Sequence, residues 1–302
     1  MKNEIYDVII IGAGPAGMTA AIYSARYHLK TLVIGILAGG LASEAHRICN
    51  FPTYPEIKGF ELAHKLLNQV TELGVEIKHE KVEKIHGKNN DLTIKTSDEE
   101  YKCKKLIIAT GSKKKTLGVE KEFEFIGKGI TYCATCDAPF YKNKIVAVVG
   151  GGNAALTAAL LASEFANKVY ILYRKEEFSK ADPAWIKLIK ENKKIEVLFK
   201  TEITELIGEK KVKAVKLNNG KIIELDGIFI EIGADPNTEI VKDLGVELER
   251  NYIKTDAEKK TNVAGVFAAG DVTLNPLKQI IVACGEGAIA ADTAYRELTV
   301  GK

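Results

Sequence analysis

The hydrophobic positions near the start of the chain predict a β-strand, an α-helix and a second β-strand. The run Asp7–Ile11 is apolar after its first residue, the pattern of a strand buried on both faces of a parallel sheet. A glycine-rich turn, Gly12–Gly17, separates it from the alanine-rich stretch Met18–Tyr27, which predicts a helix. The apolar segment Thr31–Ile34 predicts the next strand. These elements together predict a βαβ unit.

The same order of elements returns about one domain length later. Lys144–Val149 predicts a strand, Gly150–Ala155 a turn, Leu156–Ala166 a helix and Val169–Leu172 a second strand. A chain of 302 residues is long enough for about two domains. Two similar units therefore indicate two dinucleotide-binding domains, a pattern that a duplication would produce.

The other apolar segments are expected to complete two sheets. Strands of the first sheet are predicted near Ile85, Leu92–Lys95 and Leu106–Ala109. Strands of the second are predicted near Ile195–Phe199, Val212–Leu217 and Ile222–Ile232. The pattern changes after Pro236, where a short strand (Val266–Ala269) and a helix (Ile280–Arg296) are predicted. We therefore predict an α/β fold with two Rossmann-like domains, the first formed by residues 1–113 and 241–302 and the second, 114–240, inserted in it.

Composition and charge exclude several other classes of protein. The chain is 46% hydrophobic and 27% charged, an ordinary globular balance, and its net charge of +3 gives no reason to expect a nucleic acid partner. No apolar stretch reaches the roughly 18 residues that span a bilayer, and the N-terminus lacks the pattern of a signal peptide. Five cysteines in a chain of this length suit a reducing compartment, so a cytoplasmic location is expected.

The first glycine turn has the spacing of a phosphate-binding loop. In such loops the first glycine allows a tight turn, the second lets backbone N–H groups approach a pyrophosphate, and the third lets helix and strand pack closely. The helix N-terminus adds a partial positive charge. One common element is missing, because the segment after the second strand, Gly35–Gly40, contains no acid to bind ribose hydroxyls.

The second glycine turn has Ala155 in the third-glycine position and is followed by cations. Arg174 and Lys175 end the next strand, with Lys180 beyond, and cations there suit the 2′-phosphate of NADPH. Glu176 and Glu177 lie beside them and oppose that interpretation. NADPH is therefore favoured over NADH.

The sequence Cys133-Ala134-Thr135-Cys136-Asp137 precedes the second turn and has three possible roles. The cysteine pair can close a redox-active disulfide, supply two ligands of a zinc site, or be inert packing. Zinc needs two more ligands, and no histidine follows His86, so no metal site is predicted and the redox role is favoured. Asp137 is a candidate proton carrier for a leaving sulfur, or alternatively a helix cap. The isolated Cys49, Cys103 and Cys284 are expected to be packing residues.

These motifs together closely resemble the low-molecular-weight thioredoxin reductases, over essentially the whole chain. The matching segments are Asn50–Pro52, Ile107–Gly111, the cysteine motif with its following glycine turn, Thr261–Asp271 and Lys278–Ile280. The resemblance implies that NADPH reduces FAD, and that the flavin reduces a Cys133–Cys136 disulfide. Cys136 would be the flavin-facing sulfur, Cys133 the thiol that attacks thioredoxin, and Asp137 the acid–base group. The resemblance also implies a homodimer.

The resemblance assigns cofactor contacts to matching positions. Those assigned to FAD are Gly12, Gly14, Pro15, Ala16, Gly17, Gly35, Gly39, Gly40, Leu41, Asn50, Val82, Ala109, Thr110, Gly111, Gly270, Asp271, Lys278, Gln279 and Ile280. Those assigned to NADPH are Gly150, Gly152, Asn153, Ala154, Arg174, Lys175 and Lys180.

Several positions depart from the family pattern. Leu37 and Leu41 stand where the family commonly has Glu and Gln, and Lys278 stands where it usually has Arg. Ser179 takes the place of a family arginine at the NADPH site, and lysine lacks the bidentate fork of arginine. Other donors, namely NADH, ferredoxin or a deazaflavin, therefore stay open, as do a glutaredoxin-like acceptor and a peroxiredoxin-coupled reaction. A non-catalytic redox sensor or a zinc module is a remote alternative.

Overall fold

The computed structural model describes residues 4–45, 48, 50–179 and 181–299, with backbone alone at residues 135 and 136. It divides into two compact units, one formed by Met1–Lys113 with Asp235–Lys302 and the other by Lys114–Ala234. The chain returns to the first unit at Asp235, whereas the sequence pattern suggested residue 241. The physical reason is that Asn237 already exchanges hydrogen bonds with Thr110 of the first unit.

The first part of the first unit forms strands and α-helices in the following order: β1 (Ile5–Ile11), α1 (Pro15–Arg26), β2 (Thr31–Ile34), α2 (Gly59–Glu72), β3 (Glu76–Lys78), β4 (Val82–Lys88), β5 (Asp91–Thr96) and β6 (Glu100–Ile108). The chain passes from the first unit to the second within the short strand β7 (Ser112–Lys114). It returns to the first unit within the short strand β16 (Ala234–Pro236).

The second unit contains three α-helices and eight strands among its described residues, not counting the short strands β7 and β16. They are β8 (Ile130–Thr131), α3 (Ala134–Asp137), β9 (Ile145–Val149), α4 (Asn153–Phe165), β10 (Lys168–Tyr173), α5 (Pro183–Glu191), β11 (Ile195–Phe199), β12 (Ile203–Gly208), β13 (Val212–Leu217), β14 (Ile222–Glu224) and β15 (Gly227–Ile230). The last part of the first unit adds β17 (Leu248–Glu249), β18 (Tyr252–Ile253), β19 (Val266–Ala268) and α6 (Ile280–Thr299).

The first unit is built on a sheet whose parallel part has the order β3-β2-β1-β6-β19. Strand β6 is the junction. It pairs with β1 along residues 102–108, antiparallel with β5 at residues 100–103 and parallel with β19 at residues 106–108. Ile9, Ile10 and Ile107 are fully buried, as expected for strands covered on both faces. Helices α1 and α6 pack on one face, so the glycine turn after β1 lies at the carboxyl edge of the sheet.

The second unit repeats this plan with a five-stranded parallel sheet, β11-β10-β9-β15-β8. Its three-stranded antiparallel sheet, β12-β13-β14, packs through Leu206 and Val215 into the same core as Ala147 and Ile228 of the main sheet. On the other face α4 buries its alanine-rich side, and Trp185 on α5 is partly buried against that core. The predicted fold of two Rossmann-like domains, the second inserted in the first, is therefore confirmed.

Several elements differ from the sequence interpretation, among them one predicted segment and two helices. The segment Ile222–Ile232 is two strands in different sheets, because the chain turns at Leu225 and Asp226 between β14 and β15. Helices α2 and α5 were not predicted. Helix α2 buries only one of its sides, where Leu62 and Val70 lie, and this spacing of apolar residues is the signal that reveals such a helix. Among the described residues, no helix is long and apolar enough to cross a membrane.

A buried ion pair ties α6 to the turn that follows β19. The Lys259 ammonium lies 2.9 Å from Glu286 Oε1, and the two side chains are only 16% and 8% exposed. The other carboxylate oxygen, Oε2, accepts hydrogen bonds from the Gly270 N–H at 2.7 Å and from the Thr273 hydroxyl at 3.0 Å. Glu286 therefore fixes the backbone of the turn at Gly270.

Removing one member of this pair is expected to destabilise the protein strongly. In Lys259→Met the Glu286 carboxylate stays buried without its counter-ion, which typically costs about 3–5 kcal/mol. The control is Lys254→Met, which breaks an exposed pair with Glu247 and should cost about 0–1 kcal/mol. Urea unfolding of both variants measures the difference in the free energy of unfolding. Equal losses would show that burial of the pair has no energetic consequence.

Candidate functional site

The first glycine turn satisfies three separate steric demands. Gly12 has a φ of +113°, and a Cβ there would lie 2.1 Å from the carbonyl oxygen of Ala109. A Cβ at Gly17 would lie 1.8 Å from the carbonyl oxygen of Gly12, so only glycine lets α1 start this close to the strand. Gly14 is the N-cap of α1, where no side chain caps the helix. The first-turn N–H groups of α1 therefore have the geometry that holds a phosphate.

A second segment, after β2, closes on this turn. Gly39 donates its N–H to the Ala13 carbonyl at 2.7 Å, and a Cβ built on Gly40 would lie 3.3 Å from the Gly14 Cα. A Cβ at Gly35 would lie 2.8 Å from the Ala13 nitrogen. The three glycines assigned to FAD in this segment are therefore packed against the first turn. Ile36 and Leu37 beside them are exposed at 69% and 52%, so no acid lies where ribose hydroxyls are usually bound.

The segment after β6 is held by a residue that the sequence interpretation missed. The Asn237 side chain donates to the Thr110 carbonyl at 2.9 Å, and the Thr110 hydroxyl donates to the Asn237 carbonyl at 2.7 Å. The Asn237 N–H also donates to the carbonyl of Gly111 at 3.0 Å. Asn237 thus fixes the backbone of the predicted motif Ala109–Gly111. Asn237 follows Pro236, and this pair is typical of a turn in which an asparagine side chain binds backbone groups, so this was the signal in the sequence.

The turn after β19 reaches the first glycine turn through small residues. A Cβ at Gly270 would lie 2.9 Å from the Ala16 Cβ, and a Cβ at Gly287 of α6 would lie 2.1 Å from the Ala16 carbonyl oxygen. Asp271 is therefore presented beside the start of α1. Burial raises the pKa of Asp271, while the Lys278 ammonium opposes that rise.

Lys278 and Gln279 connect the remaining parts of this site. The Lys278 ammonium donates to the carbonyls of Asp271 and Thr273, and it lies 4.3 Å from the centre of the Tyr252 ring. Burial lowers the pKa of Lys278. The Asn50 side chain donates to Gln279 Oε1 at 2.9 Å, which joins two predicted positions that are distant in sequence.

Four further positions assigned to FAD have the following surroundings. Val82, at the start of β4, is buried in the core that also holds Ile85. Ile280 begins α6 and packs on the small cluster of Ile48, Ile57 and Leu62. Leu41 is 38% exposed, and Pro15 is the first residue of α1.

The second glycine turn repeats the geometry of the first. Gly150 has a φ of +141°, and a Cβ there would lie 2.1 Å from the carbonyl oxygen of Glu231, which follows β15 as Ala109 follows β6. Gly152 is the N-cap of α4 without a side-chain cap, and a Cβ there would meet no atom within 4 Å. Ala155 is fully buried in the third-glycine position. This N-terminus therefore also fits a nucleotide phosphate.

The segment after β10 presents the predicted cations to solvent. Arg174 and Lys175 are exposed, and the Lys175 ammonium lies 3.4 Å from the Ser179 hydroxyl; Lys180 lies outside the described residues. Glu176, which opposed the NADPH interpretation, forms an ion pair with Lys200 at 2.6 Å. Lys200 therefore pairs with one of the two acids beside the two cations.

Asn153 positions the far end of the same segment. Its side-chain carbonyl accepts the Asp182 N–H at 2.7 Å, and the Asp182 side chain in turn caps α5 by accepting the Ala184 N–H. The first residue of α4 is thus tied to the residues that follow the cations. The Tyr173 ring packs directly on Gly151, where a Cβ would lie 2.4 Å from ring atoms. Ala154 is exposed.

The cysteine motif begins a single helical turn, α3. Cys133 is part of a disulfide, while the side chains of Thr135 and Cys136 lie outside the described residues. The Thr131 hydroxyl accepts the Cys133 N–H at 3.0 Å. Asp137 ends α3 and is the N-cap of the short 3₁₀ helix Ala138–Tyr141, but its side chain makes no capping hydrogen bond there. The capping role is therefore disfavoured for this carboxylate.

A network of polar groups holds the segment just before the disulfide. The Tyr132 hydroxyl donates to the Glu122 carboxylate, which also accepts the N–H groups of Leu117 and Gly118 at 2.8 Å each. The Lys114 ammonium donates to the Tyr132 carbonyl. Hydrogen bonds therefore hold Tyr132 at both its hydroxyl and its carbonyl, which fixes the position of the residue directly before Cys133.

The remaining cysteines have no features of reactive thiols. Cys103 is buried in the core and burial raises its pKa to about 12, and burial also raises the pKa of the free thiol of Cys284. Both groups therefore stay protonated and unreactive near neutral pH. Cys49 lies outside the described residues. Within the part of the chain that the structure describes, no group of His, Cys, Asp or Glu side chains is arranged to hold a metal ion.

Comparison with known proteins assigns the chain to one family. Residues 6–287 match the family model described as pyridine nucleotide-disulphide oxidoreductase. A relative named thioredoxin reductase from Listeria innocua is 37% identical, covering 98% of this chain and 94% of its own length.

Solved structures of similar proteins agree with this match. The thioredoxin reductase of Lactococcus lactis has a TM-score of 0.89 and 37% identity, covering 96% of this chain and 98% of its own. That of T. acidophilum has a TM-score of 0.88 and 38% identity, covering 97% and 99%. The chain therefore belongs to the pyridine nucleotide-disulphide oxidoreductase family, among its low-molecular-weight thioredoxin reductases.

Proposed function

We propose that the protein is a thioredoxin-disulfide reductase that passes electrons from NADPH through FAD and a Cys133–Cys136 disulfide to thioredoxin. The observation that carries the proposal is the disulfide at Cys133, on a short helix of the unit that holds the second glycine turn. Relatives named thioredoxin reductase that match nearly the whole chain support it.

The residues of the first unit fit FAD. Three backbone segments, at Gly14, Gly40 and Thr110, meet around an uncapped helix N-terminus, and Asp271 is held beside it by the Glu286 network. We assign the pyrophosphate to the first turn of α1 and the ribityl chain to Asp271. When bound, FAD supplies two-electron chemistry between a nicotinamide and a disulfide.

The residues of the second unit fit NADPH. Gly152 and the first turn of α4 suit the pyrophosphate, and Arg174 with Lys175 suits the 2′-phosphate. The pairing of Glu176 with Lys200 supports this assignment, because one of the two acids that would repel phosphate is engaged elsewhere.

We assign different jobs to the two sulfurs of the motif. Thiolate Cys133 attacks the disulfide of thioredoxin, so that bond breaks and a mixed disulfide forms. Cys136 then attacks the Cys133 sulfur, which re-forms the enzyme disulfide and releases thioredoxin as a dithiol. Asp137 exchanges the proton that a leaving sulfur needs.

The setting of this reaction belongs to the same proposal. A homodimer in the cytoplasm is proposed, with thioredoxin or a glutaredoxin-like protein as the acceptor and with neither a nucleic acid nor a membrane as partner. The small net charge of +3 supports the absence of a nucleic acid partner.

Cys133→Ser and Cys136→Ser are each expected to abolish thioredoxin turnover. The rate should fall by at least about a thousandfold, because neither variant can complete the exchange of one disulfide for another. Both should keep the bound flavin and its reduction by NADPH, which stopped-flow absorbance measures separately.

The control for these variants is Cys103→Ala, which removes a buried thiol and should keep both activities. Thioredoxin turnover that survives in either serine variant would contradict the proposed function. A purified protein without flavin absorbance would do so as well.

The double variant Arg174→Ala, Lys175→Ala is expected to raise the KM for NADPH about 10- to 100-fold. The reason is the loss of charge-assisted hydrogen bonds to the 2′-phosphate. The kinetics with NADH should change little. Lys187→Ala, an exposed lysine on α5, is the matched control. A parallel loss with both nucleotides, or flavin reduction by reduced ferredoxin alone, would overturn the assignment of NADPH as donor.

A further inference from the structure

The segment after β2 holds two exposed apolar side chains beside the first glycine turn. Gly35 begins this segment, and a Cβ there would lie 2.8 Å from the Ala13 nitrogen. Gly39 ends it and donates its N–H to the Ala13 carbonyl at 2.7 Å. Between these two contacts lie Ile36 and Leu37, whose side chains are 69% and 52% exposed. Contacts at both ends of the segment therefore hold these two residues near the start of α1.

Leu37 stands at the position where a nucleotide site of this kind usually has an acid. Such an acid follows the second strand, about 20 residues after the glycine turn, and its carboxylate accepts hydrogen bonds from ribose hydroxyls. Leu37 has this spacing from Gly17, but its side chain has no polar atom. It can therefore stabilise a ligand only by apolar contact, which strengthens with the apolar area removed from water.

Three acids of the first unit that lie close to this segment in the fold or in the sequence have other partners. Glu76 on β3 lies 3.4 Å from the Lys78 ammonium. The Glu80 carboxylate, after β3, accepts the Tyr101 hydroxyl at 3.0 Å. Glu44, which ends a short 3₁₀ helix, also interacts with another group. Each of the three is engaged, which favours a ligand contact made without a carboxylate.

We propose that Ile36 and Leu37 hold the adenosine end of FAD by apolar contact, so that binding does not depend on the ribose hydroxyls of that adenosine. The backbone N–H groups of α1 provide the polar contacts, through the pyrophosphate. A site of this kind accepts flavin dinucleotides that differ at the adenosine ribose. The inference rests on the proposed FAD site of the first unit.

The test is a competition between FAD and an analogue whose adenosine ribose lacks both hydroxyls. Purified flavin-loaded protein is incubated with a large, equimolar excess of the two dinucleotides until the composition of the bound flavin no longer changes. The bound flavin is then isolated with the protein, released, and quantified by chromatography and mass spectrometry. The ratio of the two bound flavins gives the ratio of their dissociation constants without any measurement of activity.

In the wild-type protein the two flavins should bind equally, within about threefold, because no carboxylate discriminates between them. Leu37→Glu restores an acid at the expected spacing. It should therefore favour FAD over the analogue about 10- to 100-fold, which is the effect of a charge-assisted hydrogen bond. The matched control is Leu188→Glu, which adds the same charge at an exposed leucine on α5 of the other unit and should leave the ratio unchanged.

A double variant tests the apolar contact itself. Ile36→Ser combined with Leu37→Ser removes most of the apolar area, so the dissociation constant of FAD should rise at least about tenfold. The ratio of the two flavins should stay at the wild-type value, since the ribose hydroxyls are not involved. The flavin fluorescence released on dilution of the protein measures this constant, and Leu188→Ser is the control that should leave it unchanged.

A wild-type preference for FAD above about threefold would overturn the inference, and this result needs no variant to fold. An unchanged ratio in Leu37→Glu, or an unchanged dissociation constant in the double serine variant, would do so as well. Protein that carries no flavin at all would instead contradict the proposed function.

Discussion

The structure depends on one repeated steric constraint, the contact between a strand-end carbonyl and a glycine Cα. In the first unit Gly12 lies against the Ala109 carbonyl, and in the second Gly150 lies against that of Glu231. In each case the neighbouring N–H, of Ala109 or Glu231, donates to the last residue of the strand before the glycine. Any side chain at either glycine would force two central strands apart. The nucleotide-binding turns are therefore consequences of how tightly the sheets close.

This constraint explains why the two binding turns rely on main-chain atoms. Gly14 and Gly152 both begin a helix in extended conformation with no side-chain cap, so the groups available to a phosphate are backbone N–H donors. Side chains then distinguish the two turns. Asp271 and Lys278 surround the first, while Arg174 and Lys175 lie near the second. One backbone arrangement thus recurs in both units, and in the proposed function the surrounding side chains set the difference between the two ligands.

The sequence predicted those parts of the fold and site that depend on local pattern. The strand Asp7–Ile11 and the two glycine turns follow from hydrophobic runs and glycine spacing, which are properties of adjacent residues. The role of Asn237 could not be predicted, because its partners Thr110 and Gly111 are far away in sequence and meet it only after folding.

The position of Trp185 has a consequence for experiments in solution. The chain has one tryptophan, and it packs in the core of the second unit, whereas the residues that fit FAD are in the first. Emission from this residue is therefore a signal from one unit, and flavin absorbance is a signal from the other. The native tryptophan and the flavin can therefore report on the two units separately, without any attached label.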